Sequence, residues 1–418
     1  MEKRHILIGI LAVLVANTLY AQQKTFNPED YATYKTSRAD GRYASSRAIG
    51  NQLMKAAEPM LQFRPEMARE EFATWKSHVK QAMTLLMKHP IVKGQPAPKR
   101  VHVTQREGYR VEKWEAYPFE KAVVSFLMLV PDNASGKKPL PAIFCTPGWG
   151  QTKEGLAGEP SLNKPGEEYN PQSMGMARQY VREGYITVVV DNPGSGECCD
   201  TEWAAGLGSY DFATFGRAML ELNWSYLGYS SYVSKLILDW VKRLPEVRRD
   251  RIIFSGFSFG TEPLMAIGVM DDEIYAFVYN DYLCRTRERI LTMTKPQADG
   301  HRSYPNDIAH LIPGFLMYFD FPDLVAALAP RPVICPEGGM DRDFRLVRKA
   351  FEVSGNPDGF LPIHYKMYQD ASTRQVDLEH QPEGIDVETH FRLASVDPLH
   401  HGFKAEYVLP WVKELLKE

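Results

Sequence analysis

The sequence predicts an α/β fold: a mostly parallel central sheet with antiparallel strands at its N-terminal side, helices on both faces, and a helical extension in front. Three observations carry this reading. Short β-rich apolar runs at Ala142–Cys145, Ile186–Asp191, Ile252–Ser255, Ala276–Asn280, Val333–Cys335 and Ile363–Met367 are interleaved with helical patterns such as Met174–Glu183, Tyr229–Leu244 and Thr261–Val269. Continuously apolar strands separated by helices belong to a parallel sheet covered on both sides. Ahead of them, Val101–Gln105, Tyr109–Tyr117 and Val123–Val130 follow one another with only turns between, as in an antiparallel meander. Further upstream, Phe72, Trp75, Val79, Met83 and Leu86 have the spacing of an amphipathic helix.

The chain of 418 residues is 44% hydrophobic and 24% charged, which excludes disordered and fibrous classes. With 49 Lys+Arg against 52 Asp+Glu it lacks the basic excess of a nucleic-acid binder. Lys3 and Arg4 precede an apolar run, Ile6–Ala16, shorter than the ~20 residues a membrane span needs. With Ala21 before Gln22, residues 1–21 read as a signal peptide and predict export to the periplasm or beyond. Leu19 fits the small-residue cleavage rule poorly, so an uncleaved anchor is the rival reading. No later segment is apolar enough to span a membrane.

Residues 22–98 are then the helical extension, closed by a linker containing Pro96 and Pro98, and residues 99–418 the main domain. Segments 281–330 and 369–399 are long inserts expected above the carboxyl ends of the strands, where open α/β sheets bind ligands. Of five cysteines, Cys145 and Cys335 read as buried small hydrophobes, and Cys198 and Cys199 are adjacent in a loop. One disulfide would be compatible with export, and no Cys/His spacing suits zinc.

Chemistry centres on Gly256-Phe257-Ser258-Phe259-Gly260, a G-x-S-x-G between the strand ending at Ser255 and the helix starting at Thr261. That strand–turn–helix context is the nucleophile elbow of an α/β-hydrolase fold, with Ser258 as nucleophile. A serine hydroxyl needs a base, and in this fold the order is Ser, acid, His. His401, in Asp397-Pro-Leu-His-His-Gly-Phe403 before the final helix, is the expected base, with His400 the alternative. The acid should follow the penultimate strand, and Asp341, after a Gly-Gly turn, is the choice. Asp343 and Glu337 compete in the same loop, and Asp281 lies one strand earlier. The oxyanion donors are expected from the amides of Phe259 and Trp149, the latter in Thr146-Pro-Gly-Trp-Gly150.

Several stretches together resemble the exported acetyl-xylan-esterase-like and pectin-methylesterase-like branch of the α/β hydrolases. They are Gly256-Phe-Ser-Phe-Gly-Thr-Glu-Pro263, Asp191-Asn-Pro-Gly-Ser-Gly-Glu197, Phe319-Asp-Phe-Pro-Asp-Leu-Val-Ala-Ala-Leu-Ala-Pro-Arg-Pro332, Gly338-Gly-Met-Asp-Arg-Asp-Phe344 and the closing Asp-Pro-x-x-His-x-Phe. The resemblance implies a serine esterase without metal or other cofactor, acting on ester-decorated plant cell-wall polysaccharides, with the triad on Ser258, Asp341 and His401. Phe257 departs from the His or Tyr of many hydrolases, at a position expected to pack behind the elbow.

Arg285 and Arg287, in a cluster with Arg289, could hold a uronate carboxylate, or could pair with Glu288. Glu262, four residues after Ser258, is either a substrate-side partner or an acid favoured at a helix N-terminus. An exported peptidase of the same fold and a non-catalytic glycan binder are the rival functions.

Overall fold

The computed structural model describes residues 37–42, 44–160, 175–199, 212–292 and 306–417. The predicted signal peptide lies outside the described residues. In chain order the principal elements are α1 (Ser46–Ala56), α2 (Arg69–Met87), β1 (Lys99–Arg106), β2 (Tyr109–Ala116), β3 (Val124–Pro131), β4 (Leu140–Thr146), α3 (Lys153–Ala157), α4 (Met176–Arg182), β5 (Ile186–Val190), α5 (Phe212–Glu221) and α6 (Tyr226–Val241). There follow β6 (Val247–Phe257), α7 (Thr261–Met270), β7 (Ala276–Asn280), α8 (Thr286–Thr292), α9 (Phe321–Ala327), β8 (Val333–Cys335), α10 (Asp341–Ser354), β9 (Phe360–Pro362), α11 (Val387–Leu393) and α12 (Ala405–Leu415).

The nine strands form one sheet in the order β1-β2-β3-β5-β4-β6-β7-β8-β9. From β1 to β3, and between β3 and β5, pairing is antiparallel; the remaining pairs are parallel. This is the α/β-hydrolase architecture. Strands β3, β5 and β7 are buried along their whole length, as strands with both faces covered must be. The side-chain alternation is visible in β4 and β6. Phe144 and Phe254 face the core under α2, α6, α7, α9 and α10, while Ile143 and Ile253 face the core under α3, α4 and α12. Edge strand β1 is almost wholly exposed and carries Lys99, Arg100, His102 and Arg106, polar groups that discourage further strand pairing.

The extension is packed on the sheet domain. Helix α2 buries Phe72, Trp75, Val79, Ala82, Met83 and Met87, and Trp75 Nε1 donates to Leu61 O at 2.8 Å. The backbone N–H of Phe63 donates to Asp323 Oδ1 at 2.8 Å, and Leu61 N to Tyr318 O at 2.7 Å, so the segment between α1 and α2 is fastened to the start of α9. The last strand differs from expectation. It is Phe360–Pro362, and the predicted run Ile363–Met367 instead passes into a 3₁₀ turn at Lys366–Tyr368. Phe360, stacked on Phe351 at 5.7 Å and edge-on to Phe344, is anchored to α10. That packing, rather than the apolar run, places the strand. Among the described residues the five cysteines form no disulfide with one another.

Candidate active site

Ser258 sits where β6 turns into α7, with φ +51°, a left-handed conformation that costs a non-glycine residue roughly 1–2 kcal/mol. The flanking glycines make the turn sterically possible. A Cβ on Gly256 would lie 2.4 Å from Gly260 O, and one on Gly260 would lie 2.3 Å from Thr146 O. Two hydroxyls pin the bend: Thr146 Oγ1 donates to Gly260 O and Thr261 Oγ1 to Ser258 O, both at 2.8 Å.

The loop after β4 comes into contact with the elbow. A Cβ on Gly148 would stand 3.1 Å from Ser258 Cβ and 3.0 Å from the Phe257 ring, so only glycine fits comfortably. Asn192 Nδ2 donates to Pro147 O at 3.0 Å and Gly148 O at 3.3 Å. Gly148 N is occupied by Gln151 Oε1 at 3.0 Å, whereas the neighbouring Trp149 N–H has no acceptor among the described residues.

Below this loop lies a buried ion cluster. Lys153 Nζ is 2.7 Å from both Asp191 Oδ2 and Glu154 Oε1 and 2.8 Å from Glu197 Oε2. Burial opposes the Lys153 charge, but the three carboxylates dominate and hold its pKa above the ordinary lysine range. Glu197 is likewise resisted by burial yet held down to about 2 by Lys153, Lys113 and Ser125. Asp191 and Asn192 share one turn, so this cluster fixes the residue that clamps the Gly148 loop.

His401 projects from the chain between β9 and α12. Its ring stacks on Phe257, the residue before Ser258, at 4.8 Å and 24°. Its Nδ1 lies 2.9 Å from Oε2 of Glu337, a fully buried carboxylate. Glu337 Oε1 accepts from Gly402 N at 2.9 Å and Tyr365 OH at 3.1 Å, and Lys404 Nζ stands 3.3 Å away. Burial would lower the His401 pKa, but contact with Glu337 and the charges of Glu337 and Asp281 outweigh it and raise the value. Burial is also the main reason the Asp281 carboxyl is pushed up to about 6, with Glu337 adding to it and His401 opposing. Asp281, Glu337 and His401 present ligand atoms within 4.8 Å of one another, a spacing that could hold a divalent ion. Lys404, however, already supplies a cation to Glu337.

The geometry does not bring Asp341 to His401. Asp341 opens α10 and receives Arg374 in a fork, Nε at 2.9 Å and Nη2 at 3.1 Å, with His364 Nε2 at 3.6 Å. Glu337 takes the place beside the imidazole, because Gly338 and Gly339, at φ +78° and +148°, swing the chain away before Asp341 is reached. Asp343 is buried against Arg285 at 2.7 Å. His400 pairs with Asp397 at 2.7 Å and its side chain is 75% exposed.

The two arginines expected at a substrate face are engaged elsewhere. Arg285 holds Asp343, and Arg287 donates to the backbone carbonyls of Ala57 and Lys55 in the extension. Glu262 meets a residue the sequence did not flag: its Oε1 is 2.5 Å from His310 Nδ1. His310 is parallel to the Trp149 ring at 5.9 Å and edge-on to Phe259 at 4.8 Å. Trp149, Phe259 and His310 thus form an aromatic wall beside Ser258, with Trp149 41% exposed. Nothing in the spacing pointed to His310, which comes from an insert 48 residues from its partner.

A family model described as the Abhydrolase family matches residues 25–414. A crystal structure from Bacteroides fragilis, provisionally named an acetyl xylan esterase, is 48% identical, with a TM-score of 0.88, covering 94% of this chain and 100% of the other. A methylesterase at 14% identity and TM-score 0.51, covering 89% of this chain and 81% of that one, shares the fold. No curated protein matches the chain.

Proposed function

Because the chain belongs to the Abhydrolase family, we propose that it is an exported serine esterase removing acetyl or methyl groups from a plant cell-wall polysaccharide. The observation that carries the chemistry is the His401 ring lying between Glu337, 2.9 Å from Nδ1, and Phe257, the backbone neighbour of Ser258. A carboxylate on Nδ1 fixes the tautomer and leaves Nε2 to take the serine proton. Ser258 Oγ attacks the ester carbonyl as that proton moves to His401, and Glu337 stabilises the imidazolium. The amides of Trp149 and Phe259 receive the oxyanion, which the positive end of α7 also favours. The leaving alcohol takes the proton from His401, and a water activated by the same imidazole releases the acid from Ser258.

The name of the 48%-identical relative favours acetyl over methyl. Export rests on the N-terminal sequence alone. Among the described residues no single helix is long and apolar enough to cross a membrane.

The reading is tested by fluorophosphonate labelling and by incubation with acetylated xylan and methylated pectin. Labelling and acetate or methanol release should both disappear in Ser258→Ala. An unlabelled wild-type protein, or release that persists in the variant, would refute the assignment.

A further inference from the structure

Between α8 and the segment leading into α9 lies a cavity of about 280 Å³. Its lining is mostly apolar, from Ile290, Leu311, Ile312, Phe315, Leu316 and Phe321. Phe315 is edge-on to Phe319 at 5.2 Å and meets Phe321 at 5.3 Å, so this wall is braced from behind. An apolar cavity of about 150 Å³ already takes up benzene. The larger one here has room for an aromatic ring and a short chain. Three polar side chains, Thr286, Asn306 and His310, interrupt the apolar lining. Asn306 is 6% exposed, and its Oδ1 has no hydrogen-bond partner among the described residues. An unpaired buried amide is costly, and one that lines a cavity is open to a ligand hydroxyl.

The cavity stands on a definite side of Ser258. Each neighbour of the serine carries one imidazole: His401 stacks on Phe257 at 4.8 Å, and His310 is edge-on to Phe259 at 4.8 Å. The leaving alcohol takes its proton from His401, so it departs on the Phe257 side. The acyl group then extends along Phe259, toward the ring of His310 that lines the cavity. His310 is held in place there. Its Nδ1 is committed to Glu262 Oε1 at 2.5 Å, and Asp307 Oδ1 accepts from Ala309 N at 3.2 Å in the turn that carries it. Because Phe259 and His310 stand between the serine and the cavity, an acyl group reaches it only with a spacer between carbonyl and ring.

We propose that this cavity is an acyl-group pocket for a phenolic acid: an aromatic ring joined to the ester carbonyl by a short chain, with a ring hydroxyl that donates to Asn306 Oδ1. The protein then hydrolyses aromatic acyl esters in addition to small ones. The ester C–O bond breaks, the acyl group passes to Ser258, and water releases it as the phenolic acid while the alcohol leaves with the proton from His401. Hydrolysis rests on the esterase reading; binding of the ring does not, and is measured without turnover.

The test is calorimetric titration of the full chain carrying Ser258→Ala with methyl para-hydroxycinnamate and methyl cinnamate. Both should bind, the hydroxylated ester about fivefold to tenfold more tightly, as one hydrogen bond to a buried acceptor provides. Asn306→Leu, added to that chain, replaces an unpaired amide by an apolar group of similar size, so it should fold and bind the two esters equally. Met317→Trp, at a lining residue that is 51% exposed, should fold and weaken both esters by at least about fivefold. Failure of both esters to bind, a preference for the hydroxylated ester that survives Asn306→Leu, or affinities unchanged in Met317→Trp would overturn the proposal. The expected binding in a protein whose wild type releases no acid or alcohol from any ester would keep the pocket and remove the esterase reading. Ser258-dependent release of acetate or methanol from glycans, with neither aromatic ester bound, would do the reverse.

Discussion

Replacing Glu337 by Gln tests which carboxylate serves His401. The substitution keeps shape and removes one charge, 2.9 Å from Nδ1. At an effective dielectric of about 20, that separation corresponds to about 6 kcal/mol between carboxylate and imidazolium. The His401 side chain is 33% exposed, so solvent trims the figure to about 4 kcal/mol, or roughly 10³-fold in rate. The amide would also face Gly402 N, Tyr365 OH and Lys404 Nζ, all matched to a carboxylate, which favours the wrong imidazole tautomer. The assay is kcat/KM for p-nitrophenyl acetate, with Asp341→Asn and Asp281→Asn in parallel. Glu337→Gln should lose about 10³-fold and Asp281→Asn about tenfold through the weaker field on His401. Asp341→Asn, which disturbs the fork to Arg374 and the contact with His364 but no contact with His401, should lose less than about threefold. A large loss in Asp341→Asn with little in Glu337→Gln would refute the reasoning.

The remaining predictions follow from the same contacts. Since His401 must be neutral to act as base and its pKa is raised, kcat/KM should climb with pH through a midpoint above the ordinary imidazole value of about 6.5. That limb should move to lower pH in Glu337→Gln, as a pH–rate profile would show. Gly148→Ala should fold yet lose about 10²-fold in kcat, because its Cβ would press on Ser258 Cβ and the Phe257 ring and displace the oxyanion loop. Lys153→Met should cost about 3–5 kcal/mol in denaturant unfolding, since it strands Asp191, Glu154 and Glu197 without their shared cation. The wild-type contribution of Glu197, whose folded pKa is about 2, is present above its unfolded value of about 4.5 and lost as pH falls between the two. The acid sensitivity of stability should therefore be weaker in Lys153→Met.

The nucleophile elbow is local. Strand, two glycines and helix are contiguous, and the clash that forbids side chains at Gly256 and Gly260 involves atoms within a few residues and the neighbouring strand. The mostly parallel sheet with its antiparallel N-terminal strands was legible from continuous apolar strands alternating with helices after a meander. Of the two adjacent histidines before the last helix, the sequence favoured His401 over His400, and it is His401 whose ring lies on Phe257 beside the turn.

The partner of His401 was not legible. Glu337, Asp341 and Asp343 lie within one loop, and only the positive φ angles of Gly338 and Gly339 decide which carboxylate faces the imidazole and which turn to Arg374 and Arg285. The same holds for three arginines at every second position of one stretch. Their sequence spacing is equal, yet the extension's carbonyls take Arg287, Asp343 takes Arg285, and the buried Nε of Arg289 has no hydrogen-bond partner among the described residues. Sequence by itself determined the fold and the place of Ser258 at the strand–helix turn, because both are written in short-range sterics and hydrophobic period. The carboxylate beside His401, the aromatic wall around His310 and the separate engagements of Arg285 and Arg287 were decided by tertiary structure, because each depends on which of several chemically equal side chains a distant segment has already engaged.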